Sequence, residues 1–128
     1  MFNTIGLMQG RLSPLVDGKI QAFPVDTWKD EFEVASDLGL SSIEWTLDQW
    51  NLYENPLMRS SDYSSITELT SNFNVSIPSL TGDCFMQSPF WKSSRSDQKI
   101  LKDDFLNVIS SCAVHNVGII VVPLVDNG

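Results

Sequence analysis

Seven side chains in this sequence have the chemistry to hold a small polar molecule: Gln9, Arg11, Phe23, Glu44, Trp45, Asp83 and Phe85. Arg11 carries a planar, permanently charged fork of donors that suits a phosphate, a carboxylate or a polyol oxygen. The same fork can instead brace its own loop through backbone carbonyls. Gln9 both donates and accepts, as sugar hydroxyls require. Glu44 stands in an apolar run beside Trp45 and needs a reason to be there. It orients a sugar, supports a metal from behind, or pairs with Arg11 across neighbouring strands. Acting as proton donor or acceptor would require burial to raise its pKa towards neutrality. Asp83 follows Gly82 and is either a ligand contact or a cap of its own turn. Phe23, Trp45 and Phe85 offer flat faces for a sugar ring or pack loop against loop; Trp28 and Trp91 fit the second use.

Other reactive types are placed less usefully. Cys84 has no histidine near it in sequence, so a nucleophilic role is not expected. Cys112 falls on an apolar helical stripe, where a thiol behaves as a small hydrophobe. His115, the single histidine, follows a helix whose C-terminal end tolerates its charge.

The 128 residues are 42% apolar and carry 8 Lys and Arg against 16 Asp and Glu, for a formal net charge of -8. That length buries a real core in one domain. The acidic excess repels phosphate backbones and anionic lipid, so neither nucleic acid nor membrane is an expected partner. No apolar run approaches spanning length. No GxxxxGK or GxGxxG loop is present. Two cysteines, without a basic and then apolar N-terminus, point to a reducing cytoplasm.

The elements that must position these residues repeat one unit of apolar strand, polar loop and amphipathic helix. Strands are expected at 4–8, 42–46, 75–80 and 119–122. The first and last are continuously apolar and are expected to be covered on both faces. Pro78 lacks a donor and must sit at a bulge or late in its strand. Helices are expected from Thr27 to about Gly39, from Asp62 to Phe73, and from Ser96 to about His115. Their stripes are Trp28, Phe32, Ala35 and Leu38; then Ile66, Leu69 and Phe73; then Leu101, Phe105, Val108 and Cys112, widened by Ile109 and Ala113. The long connection 9–26 exceeds an ordinary βα loop and reads as a lid or site loop. A βαβαβαβ chain calls for parallel strands with right-handed crossovers. A doubly wound sheet and half of an eight-stranded barrel both fit. Polar, aromatic and glycine residues gather after every strand, which favours the barrel half.

The chain resembles the sugar phosphate isomerase/epimerase superfamily, with its xylose-isomerase-like TIM barrel. The resemblance rests on Ile5-Gly-Leu-Met-Gln-Gly-Arg-Leu-Ser-Pro14, on Gln21 to Pro24 with Trp28 and Phe32, and on Leu38 to Trp45; Gly82 to Met86 and Val121 to Val125 extend it. It implies an α/β fold, the N-terminal half of a (β/α)8 TIM barrel, with residues 1–128 as a single partial domain. It also implies a parent enzyme that moves a proton through an enediolate of a small sugar, sugar phosphate or polyol. The divalent metal (Mn, Mg, Co or Zn) and the proton-transfer glutamates would belong to later strands of that parent, leaving no catalytic residue, metal ligand or cofactor to assign here. Gln9, Arg11, Phe23, Glu44, Trp45, Asp83 and Phe85 would bind substrate. An endonuclease-IV-like metal hydrolase on the same barrel, or a non-catalytic sugar-binding half-barrel that self-associates through exposed strand edges, are the alternatives.

Overall fold

The computed structural model describes residues 4–125. Four parallel strands, β1 (Gly6–Met8), β2 (Ser42–Thr46), β3 (Ser79–Thr81) and β4 (Ile119–Val121), lie side by side in chain order. The register pairs Met8 with Glu44, Trp45 with Leu80, and Ser79 with Ile119. Between them run α1 (Asp30–Asp37), α2 (Tyr63–Phe73), a short α3 (Asp83–Gln87) and the long α4 (Arg95–Val114).

Alternate residues of a strand face opposite sides, and here the two sides differ sharply. Ile43, Trp45 and Leu80 join one buried cluster with Phe32 and Ala35 of α1, Ile66 of α2, and Val108 and Cys112 of α4. All three long helices therefore cover the same face. Strands in sequential order with helices on one side match a partial (β/α) barrel; a doubly wound sheet would carry helices on both.

The opposite face is open, which corrects the expectation that the first and last strands are covered on both sides. On it Gly6 is exposed and Met8 half-buried, while Ile119 is 60% and Val121 41% exposed. β1 and β4 are the outer strands, and among the described residues no helix lies over the sheet's second face. The helical stripes follow the expected periodicity with two exceptions: Leu38 lies past the end of α1 and is exposed, and in α4 Ile109 and Ala113 are exposed rather than widening the seam.

Boundaries differ where side chains found other partners. Thr27 does not cap α1; its hydroxyl donates to Ser13 Oγ (2.8 Å), and the helix begins three residues later. Ser94 caps α4 by accepting from Asp97 N–H. Strand 3 is regular only after Pro78: Ser76 makes an isolated bridge to Ser42, and β3 begins at Ser79. α3 replaces the open loop expected after strand 3. Gly82 precedes it as the N-cap, where a Cβ would overlap the Phe85 ring, so only glycine lets this helix fold back so tightly on its strand.

Candidate functional site

The loops that follow the C-terminal ends of β1, β2 and β3 meet over one end of the sheet and gather most of the residues singled out by type. Glu44 sits in the middle of β2 on the open face, half-buried. Its two oxygens accept from the hydroxyls of Ser79 (2.6 Å) and Thr81. These hydroxyls come from β3, one strand over, so the parallel register places them beside the carboxylate. With Gly6, Met8 and Ser42, Glu44 and Ser79 line a groove of about 310 Å³ on this face.

Asp83 opens α3 and is 4% exposed. Its Oδ2 accepts from Gln21 Nε2 (2.7 Å), which ties the β1–α1 loop to the end of β3. Burial pushes the Asp83 carboxyl above its ordinary value; the Gln21 bond opposes this, and the nearby Asp48 and Glu44 add to it. Asp48 holds the same loop from the other side, accepting from Phe23 N–H (3.0 Å) and from Gln87 Nε2 (2.8 Å). Three carboxylates thus face one small region, each already engaged by neutral donors. Among the described residues, no three His, Cys, Asp or Glu side chains are placed to hold a metal ion together. This chain's own groups therefore do not fit the divalent metal that the resemblance attaches to the parent, and no step through a metal is derived from them.

Gln9 is fully buried where β1 ends. Its N–H donates to Glu44 O (2.9 Å) and its Oε1 accepts from Thr46 N–H (3.0 Å), while Nε2 is buried without a partner. Gln9 thus extends the β1–β2 pairing past the strand, with one donor unspent. Arg11 is exposed and turns onto its own loop. It donates to the Ile20 carbonyl and lies 3.7 Å from Met8 Sδ. Bracing is what its guanidinium does here, and Glu44 is engaged by hydroxyls rather than by Arg11.

The aromatic candidates pack. Trp45 is fully buried; its indole N–H donates to Asn55 Oδ1 (2.9 Å), and its ring lies 5.5 Å from Phe23 and 5.6 Å from Trp28. Phe85 stacks edge-on against Phe105 at 4.9 Å. Trp91 meets Phe90 edge-on at 5.1 Å. Phe23 is buried too, yet it lines a cavity of about 630 Å³ between the β1–α1 and β2–α2 loops. The structure therefore gathers Gln9, Phe23, Glu44 and Asp83 around the strand ends, with Trp45 and Phe85 supporting from the helix side and Arg11 on the rim.

Two residues matter here that sequence reasoning missed. Glu31, in the first turn of α1, is 1% exposed, and its Oε1 accepts from Gly10 N–H (2.8 Å) and Leu12 N–H (3.2 Å). It clamps the turn after β1, where Gly10 takes φ +90°. Burial pushes its carboxyl up, against the lowering effect of those amides. Asn55 is the second: it accepts from Trp45 and from Leu57 N–H (3.0 Å) and donates to Thr46 O (3.3 Å), pinning the β2–α2 loop.

The thiols are both free and buried. Desolvation holds Cys84 up at about 12 and Cys112 at about 11, the reverse of what a nucleophile needs. His115 closes α4 against the Tyr63 ring at 4.6 Å, and burial lowers its pKa. No helix among the described residues is long and apolar enough to cross a membrane.

No protein-family model and no curated protein matches this chain.

Proposed function

We propose that this chain is the N-terminal part of a metal-dependent sugar or sugar-phosphate isomerase or epimerase of the xylose-isomerase-like barrel type, acting by proton transfer through an enediolate. The observation that carries the reading is the open sheet face: four parallel strands in sequential order present Glu44, Ser79 and Thr81, with Asp48 and Asp83 beside them at the strands' C-terminal ends. Barrel enzymes build their sites at that end. Carboxylates fixed by hydroxyl and amide donors are suited to accept hydrogen bonds from sugar hydroxyls. In this reading Glu44 contacts the substrate, buried Gln9 and Asp83 fix the strand ends beside it, Phe23 shapes its edge, Trp45 and Phe85 hold the strand ends rigid, and Arg11 sets the loop. Metal and proton-transfer groups come from strands beyond β4, as the sequence resemblance implies.

A second reading has its own support. Exposed Ile119 and Val121 on the edge strand β4 suit a half-barrel that pairs with another half. The deciding assay is isomerisation and epimerisation of ketose and aldose phosphates by the purified chain with Mn²⁺ or Mg²⁺. No turnover is expected from these 128 residues; turnover would overturn the placement of proton transfer on later strands.

A further inference from the structure

The cavity of about 630 Å³ between the β1–α1 and β2–α2 loops is separate from the groove at Glu44. Its size lies in the range of small-molecule sites. Its lining carries three carboxylates, Asp17, Asp48 and Glu54, against two cations, Lys19 and Arg59. Arg59 on its wall pairs with Glu54 at 3.3 Å and with Asp62. Both oxygens of Asp48 accept bonds from within the protein. Asp17 and Lys19 sit with opposite charge on one tight turn closed by the Val16–Lys19 bridge. What the cavity presents beyond these is neutral: the Asn51 amide, the Gln21 amide, whose Nε2 already donates to Asp83, the Gln87 amide, which is bonded to Asp48 and to Gln49 N–H, and aromatic faces. Phe23 and Trp28 form its buried wall, whereas Trp50 on the rim is 83% exposed. An indole kept in water beside a cavity loses apolar burial, which a ligand's apolar face would restore.

We propose that this cavity binds an uncharged pyranose ring, stacked on Trp50 with its hydroxyls directed at the amide side chains. The ring's C–H face covers the indole, while the Asn51 amide and Gln21 Oε1 supply the donor and the acceptors that hydroxyls require. A phosphate or carboxylate would meet a net negative lining in which Arg59 is already paired. The site does not depend on the proton-transfer chemistry proposed above, so either can fail without the other.

The test is titration of the ¹⁵N-labelled chain with the methyl pyranosides of glucose, galactose and mannose, and separately with glucose 6-phosphate, following the indole N–H signals. At least one methyl pyranoside should shift the Trp50 signal saturably. Trp50→Ala, followed through the Gln21 and Gln87 side-chain amide signals, should weaken binding roughly fivefold, the scale of one aromatic stacking contact. Trp50 is so exposed that this variant should keep the wild-type spectrum elsewhere. Absence of any saturable shift up to roughly 100 mM, a limit set by the millimolar scale of weak ligands, would overturn the proposal. So would undiminished binding by Trp50→Ala, or tighter binding of glucose 6-phosphate to the same residues.

Discussion

Asn55→Ala tests how the strand ends are held. Asn55 is 6% exposed and satisfies three groups at once: the Trp45 indole N–H, the Leu57 N–H and the Thr46 carbonyl. Truncation leaves two buried donors with no acceptor. Each such orphan costs about 1–3 kcal/mol, so the pair should cost about 2–6 kcal/mol. Against a total stability of about 5–15 kcal/mol for an ordinary domain, that is a large fraction. Urea unfolding followed by tryptophan fluorescence reads it directly, because Trp45 is at the centre of the affected cluster. The midpoint should fall with little change in slope. Asn55→Asp retains an acceptor for both donors and loses only the bond to Thr46, so near pH 4, where the contribution of a buried charge is reduced, its loss should be smaller than that of the alanine variant. A loss below about 0.5 kcal/mol in the alanine variant, the level of a neutral surface change, would refute the reasoning.

Glu31 supplies a pH signature. Its carboxyl lies above the ordinary 4.5 because of burial, so the charged form burdens the folded state. That burden is absent below the unfolded value and complete above the raised folded value. Relative to Glu31→Gln, wild type should therefore gain stability as pH falls from neutral towards 4.5; a difference between the two that does not vary with pH, in urea midpoints at pH 7 and 5, would contradict this. Cys84, buried and held up at about 12, should resist a thiol reagent at pH 8 in the native chain and react promptly in urea. Fast labelling without denaturant would show that α3 opens readily.

Much of the framework can be read from residue pattern because burial imposes it. β2 falls on 42–46 as expected, since its alternation of Ile43 and Trp45 with Ser42 and Glu44 specifies one buried and one open face. Pro78 announces where strand 3 cannot pair. The apolar runs of β1 and β4 mislead, because an edge strand and a doubly covered strand share the same composition. α3 is five residues long, too short to display a period. The site is harder to read for a different reason. Glu31 in a first helical turn reads as a dipole match, and its actual partners are backbone amides 21 and 19 residues away, which carry no side-chain signal. Arg11 is the mirror case: its type advertises ligand binding, while its nearest acceptor is a carbonyl of its own loop.

The most direct test of the strand-end assignment is a chemical-shift map of the ¹⁵N-labelled chain with D-ribulose 5-phosphate and D-fructose. The account predicts saturable shifts for one or both ligands that concentrate on residues 9–11, 44–48 and 81–85, and that Glu44→Gln weakens. Shifts confined to other surfaces, or none for either ligand, would contradict it.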